Sequence, residues 1–208
     1  MRLFVLAAVL AISSFSAAHA DPVMYTLTGS FTGSLGAVSF TSLPGTITFV
    51  GDTSGITNLG AGFYTNTAGV SSITLQGLGT AVFLSSTFGV SSQFDGAGFY
   101  DIANGFGSDI YDPVLGYYSL TAPFTDTAFQ ETSFAAEALG VVEPTTLGDL
   151  SLSGDDNAPA TFTASELAAV IPEPGAFTLL GTGLLSMTGM LAGKRRRQHL
   201  WGLAARSL

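Results

Sequence analysis

From Tyr25 the chain alternates. Tyr25, Leu27, Gly29 and Phe31 fall on one side of a two-residue period, and Thr26, Thr28 and Ser30 on the other. Successive side chains of an extended strand point to opposite faces, so this period predicts a strand with one face buried and one wet. YTLTGSFTG at 25–33, GTITFVGDT at 45–53 and ATFTAS at 160–165 share this short idiom. Thr46 to Val50, between Pro44-Gly45 and Gly51-Asp52, reads as a second strand. Ser72 to Leu75, Ala81 to Ser85, Phe99 to Ile102, Tyr117 to Leu120, Leu150 to Leu152 and Ala160 to Thr163 read as further strands. Gly77, Gly79 and Gly96 mark turns or close approaches. Only 128–139, AFQETSFAAEAL, predicts helical turns. The pattern predicts an all-β domain, a single sandwich or jelly-roll-like unit, with meander or Greek-key order open. A β-helix would need a regular period that these segments lack.

Cysteine is absent, so such a domain must hold by its core alone. Glycine is frequent, at 26 of 208 residues, which by itself suggests disorder. The aromatic and β-branched content is too high for that class.

Charge narrows the function further. Every lysine and arginine lies at Arg2, Lys194, Arg195, Arg196, Arg197 or Arg206, and none between Asp21 and Gly193. All 15 acidic residues fall between Asp21 and Glu173. Nucleic-acid binding is excluded as an expectation, because nothing in the domain can neutralise phosphate. Residues 21–193 also lack histidine and cysteine, which removes serine–histidine triads, cysteine–histidine chemistry and the usual zinc ligand sets.

The two ends carry targeting patterns. Arg2, the apolar run Leu3 to Ile12 and the small-x-small sequence Ala18-His19-Ala20 predict a signal peptide cleaved after Ala20, so that the mature chain starts at Asp21. Residues 175–193 are uncharged and are followed by Lys194, Arg195, Arg196 and Arg197, which predicts a transmembrane helix with its C-terminal end cytoplasmic. Pro172, Glu173 and Pro174 precede it as a stiff, extended approach. Motif, span and basic cluster, in that order over 172–197, resemble the PEP-CTERM sorting signal of Gram-negative bacteria. The chain departs from that pattern by continuing past the arginines with QHLWGLAARSL.

The resemblance implies recognition at Pro172, Glu173 and Pro174 by an exosortase-type membrane enzyme after passage through the general secretion machinery and signal peptidase. It also implies association with extracellular polysaccharide. The expected organisation is a signal peptide at 1–20, an acidic β-rich extracytoplasmic domain at 21–170, a sorting and anchor segment at 171–197 and a tail at 198–208. The expected location is the cell envelope: a single-pass inner-membrane intermediate, then the cell surface or matrix. The expected function is a non-enzymatic envelope or matrix protein sorted by its C-terminal signal. The alternative is a secreted carbohydrate-binding module, or a glycan-active enzyme dependent on carboxylates.

Within the domain, Asp155, Asp156 and Asn157 offer three oxygen-bearing side chains in a turn, a candidate calcium site and the one cofactor the sequence suggests; the competing reading is a polar loop. Glu131 with Glu137, or Asp109 with Asp112, are the carboxylate pairs a glycosidase would require. Asp109 and Asp112 with Tyr111, Tyr117 and Tyr118 form a candidate sugar-stacking surface, against the plainer reading of buried strand aromatics.

Overall fold

The structure, a computed structural model, describes residues 21–167 apart from 94, 116, 117, 133–135, 137, 138 and 154–157. The alternating run that opens the domain becomes β1, Pro22–Leu35, which turns back at once into β2, Val38–Asp52. These two long strands pair antiparallel from Pro22↔Asp52 to Leu35↔Val38, with a register shift between Phe31 and Gly33. The remaining strands are β3 (Ile56–Gly60), β4 (Phe63–Asn66), β5 (Gly69–Leu75), β6 (Gly79–Val82), β7 (Phe88–Gln93), β8 (Gly96–Asp101), β9 (Gly107–Tyr111), β10 (Phe124–Thr132), β11 (Val142–Glu143), β12 (Leu150–Leu152) and β13 (Pro159–Glu166).

All thirteen belong to one sheet, in the order β3-β4-β7-β8-β9-β10-β13-β1-β2-β5-β6. β12 pairs with the far end of β1, and β11 with β12. Every ladder between strands is antiparallel. The sequence expectation of an all-β domain is met, but the sandwich or jelly-roll is corrected to a continuous sheet. The reason is the strand junctions: β13 bridges β10 to β1 by hydrogen bonds, where a sandwich would leave two separate edges. β8 nevertheless touches β1, and β7 touches β5, although neither pair is adjacent in the sheet. The sheet therefore curls over on itself and encloses its inner face.

That inner face is the core. Tyr25 packs against Phe49 of β2 and Phe162 of β13, with ring centroids 6.0 and 6.2 Å apart. From the other half of the sheet, Phe88 stacks on Phe83 at 3.8 Å and neighbours Phe99 and Phe106. The Tyr25 hydroxyl crosses between the halves and donates to the Leu120 carbonyl at 2.5 Å, both residues being fully buried. Tyr25→Phe should cost about 1–3 kcal/mol, because it leaves that carbonyl dry and unpaired while keeping the ring. A urea titration checks this; an unchanged midpoint would mean that the carbonyl finds another donor.

Other expectations need correction. Residues 128–132 are not helical but lie in β10, where Gln130 turns into the core and Phe129 out to solvent. Tertiary pairing with β9 and β13 overrides the helical propensity of AFQE. Ala136 and Leu139 alone are assigned helix among the described residues of that stretch. Tyr118 to Leu120 is likewise irregular and not a strand.

No helix among the described residues is long and apolar enough to cross a membrane. The expected transmembrane span at 175–193 lies outside them, and with Thr178, Thr182, Ser186 and Thr188 its apolar character is diluted by hydroxyls. The flanking transmembrane helix is thus withdrawn. With it go the single-pass inner-membrane topology, the envelope localisation and the reading as a protein sorted by a C-terminal anchor. Ala18, Ala20, Pro172, Glu173, Pro174 and Lys194 to Arg197 also lie outside the described residues. Asp21 is described, and its amide donates to the Thr53 hydroxyl at 3.2 Å.

Candidate functional site

The outer face of the sheet between β4 and β10 collects the polar and aromatic side chains that the core excludes. Two rows cross the strands there. In one, register places Thr65, Ser91, Gly98, Asp109 and Glu131 side by side. In the next, Gln93, Gly96, Tyr111 and Phe129 follow the same line, with Phe63 beyond Gln93 on β4. The intervening residues Ala97, Ile110 and Gln130 turn inward and are buried. Tyr111 and Phe129 are 49% and 65% exposed, unusual for large rings that the core could have taken.

Glycine makes the floor. Gly98 lies directly under Asp109, so close that a Cβ there would sit 2.4 Å from the Asp109 Cα. Above this floor a recess of about 100 Å3 is lined by Phe63, Ser91, Gln93, Gly96, Tyr100 and Asp109. Asp109 keeps partial access to solvent through that recess. Burial, then the charge of Glu131 opposite it, push its carboxyl up to about 7. Burial and Asp109 together raise the Tyr100 phenol. Beside the recess the Tyr111 hydroxyl donates to Asp95 Oδ2 at 3.3 Å, and the charge of Asp95 raises its pKa.

The structure thus re-pairs the carboxylates. Asp109 faces Glu131 across β9 and β10, not Asp112, which lies just past the end of β9. Glu137 falls outside the described residues. Of the expected sugar-stacking surface, Asp109 and Tyr111 stand together on the outer face. Tyr118 instead packs on the core rings Phe124 and Phe162 and donates to the Ala122 carbonyl. Tyr117 is outside the described residues, as are Asp155, Asp156 and Asn157. No group of three or more acidic, histidine or cysteine side chains suited to a metal occurs among the described residues.

Sequence reasoning missed a second carboxyl pair. Asp101, at the end of β8, and Glu143, in β11, are 2% and 0% exposed. Asp101 accepts from the Thr87 hydroxyl at 2.6 Å, the Ser85 hydroxyl at 2.9 Å and the Ala103 amide at 2.8 Å. Burial opposes its charge, but these donors and Glu143 hold it below its ordinary range. Glu143 Oε2 accepts from Asn104 Nδ2 at 3.3 Å, while Oε1 has no conventional donor. Burial first, then its hydrogen bond to Asp101 and the charge there, push Glu143 up to about 7. Residues 42 apart in sequence and two strands with no ladder between them gave no local signal of this contact.

No family model, curated protein or solved structure matches the chain, so what the domain does must be argued from this geometry.

Proposed function

We propose that the domain is a glycan-binding module, and that it binds on the outer face between β4 and β10. The observation that carries this reading is the row of Phe63, Gln93, Tyr111 and Phe129 over a glycine floor, beside Asp109 and Glu131. Exposed rings offer flat apolar surface to the C–H faces of a sugar, and carboxylates and amides meet its hydroxyls. From β4 to β10 the row spans ~19 Å at the usual strand spacing, enough for an oligosaccharide rather than a single ring. The ligand is an uncharged glycan, since Asp95, Asp109 and Glu131 have no neighbouring cation to offset a uronate or sulfate.

Tyr111→Ala and Phe129→Ala should each weaken binding about tenfold, the effect of losing an interface aromatic worth about 1.4 kcal/mol. Isothermal titration against a panel of neutral and acidic polysaccharides measures it. Wild-type affinity in the double variant would remove the face from consideration.

One observation favours a second reading, glycan hydrolysis. Asp109 and Glu131 stand directly opposite each other, with Asp109 holding its proton to about 7. A general acid next to a carboxylate is the arrangement a glycosidase uses: Asp109 would protonate the leaving oxygen and Glu131 would attack or activate water. Release of reducing ends by the wild type, lost in Asp109→Asn, would establish catalysis over binding alone.

A further inference from the structure

We infer that the other half of the outer face, across β10, β13, β1, β2, β5 and β6, is an ice-binding surface. The inference is independent of the glycan reading and rests on the register of threonines. Thr127, Thr161, Thr28, Thr46, Thr74 and Thr80 are direct cross-strand neighbours in one line. Two residues along each strand, Thr125, Thr163, Thr26, Thr48 and Ser72 form a second line beside it. The shared idiom of TLT, TIT and TFT in the sequence is the trace of this array, to which Thr125 and Thr127 of TDT and Ser72 and Thr74 of SIT add their own strands.

Threonine favours strands, so a threonine-rich solvent face has a plain explanation in propensity. Propensity does not account for what is missing. Lysine and arginine are missing from the whole of residues 21–193, but a face chosen only for strand formation and solubility would still draw on the glutamate, aspartate and glutamine the domain has, and none stands at any position of either line. Nor does either line carry an aromatic ring or a planar polar group for stacking on a sugar.

The array is also ordered. Hydroxyl bonds to hydroxyl between Thr127 and Thr161 at 2.8 Å, Thr28 and Thr46 at 3.1 Å, and Thr74 and Thr80 at 2.8 Å. A β-branched side chain held at its hydroxyl also has its methyl fixed, because both sit on Cβ. Cross-strand side-chain ladders of this kind oppose the twist that would otherwise splay the lines apart. Three steps of the first line are tied in this way, within a grid of methyls and hydroxyls whose ideal strand repeats are ~4.8 Å across strands and ~6.7 Å along them.

Those repeats lie near the oxygen repeats on the prism faces of ice. Methyl groups hold adjacent water in restricted orientations, and hydroxyls anchor individual oxygens at set points. Each contact is weak, and adsorption requires many at once on a rigid template, which is what a multi-strand array provides. The acidic end of the sheet, at Asp109 and Glu131, stands outside both lines.

Thermal hysteresis, ice-crystal shaping and inhibition of recrystallisation by the full chain test the inference. The wild type should shape crystals and arrest their growth. The double variant Thr28→Lys with Thr46→Lys puts two bulky cations at the centre of the grid and should lose all three effects with an unchanged circular dichroism spectrum. If that variant fails to fold, Thr74→Val, which keeps the shape and removes one hydroxyl, should reduce the hysteresis. Leu59→Lys on β3, remote from the grid, should retain full activity. Wild-type protein without hysteresis or recrystallisation inhibition overturns the inference, and so does a folded lysine double variant that keeps wild-type activity.

Discussion

Glu143→Gln should make the domain more stable at pH 8 and change it little at pH 4.5. The folded state binds the Glu143 proton more tightly than the unfolded chain does, with a pKa of about 7 against an ordinary 4.5. An acid raised in this way leaves stability intact while both states are protonated. Stability then falls as pH rises from the unfolded value towards the folded one. Asp109, raised to about 7 from 3.8, acts in the same direction and over the same window. Asp101 is lowered, so its contribution is lost only on acidification, below about 4. The domain should therefore be most stable near pH 4–5, weaken towards pH 7 and level off above it.

The physical cause is the absence of any counter-charge. Residues 21–193 hold no lysine, arginine or histidine, so a proton is the one cation this part of the chain can supply to the Asp101–Glu143 contact. Asp101 is already surrounded by hydroxyl and amide donors, which makes it the ionised partner and Glu143 the neutral one. A glutamine at 143 keeps the shape and a donor towards Asp101 but cannot ionise. Abolishing a shift of this size is worth about 2–4 kcal/mol above pH 7. Urea midpoints at pH 4.5 and 8 check it. A wild-type profile that rises from pH 5 to 8, or a glutamine variant less stable at pH 8, would refute the neutral assignment.

What the sequence disclosed depended on how locally each feature was encoded. The inner faces of β1, β2, β5, β12 and β13 were readable because Tyr25, Leu27, Ile47, Phe49, Ile73 and Phe162 alternate with hydroxyl residues. β4, β7 and β9 were not, since FYTN, FGVSSQ and GSDIY bury small and polar residues such as Asn66, Ser92 and Ser108 on the core side. Alternation of hydropathy vanishes when the core-facing residue is serine. The curl of a single sheet was hidden for a different reason: it depends on β13, almost at the end of the domain, pairing with β1 at its start. Of the site, Asp109 and Tyr111 were visible as a carboxylate beside an aromatic. Glu131 was visible only as one of several carboxylates, because nothing local in 128–139 signals that pairing of β9 with β10 sets it opposite Asp109.

Gly98→Ala should be a severe substitution on the outer face, at about 3 kcal/mol or more. An added Cβ would lie 2.4 Å from both Cα and Cβ of Asp109 and 2.5 Å from the Ser108 carbonyl oxygen. Two of these three are backbone atoms of the paired strand, so they cannot rotate aside. Relief requires β9 to draw away from β8, which loosens the Gly98↔Asp109 register and the neighbouring pairs. That exceeds ordinary overpacking of a core, which costs about 1–3 kcal/mol. Gly96, two residues earlier in the same strand, provides the comparison. There the closest atom to a Cβ would be Asp109 Oδ2 at 3.2 Å, the end of a side chain that can swing away, and the Gln93 and Ile110 carbonyl oxygens at 3.5 Å are at ordinary contact. Gly96→Ala should cost less than about 1 kcal/mol, within the range of tolerated surface changes. The two variants also separate stability from site geometry. Gly96→Ala displaces the Asp109 carboxyl while leaving the strands paired, so it should weaken glycan binding in a fully folded protein. Gly98→Ala should lower the urea midpoint first. Equal destabilisation by the two alanines would mean that the close approach of β8 and β9 is not what holds Asp109 over its recess.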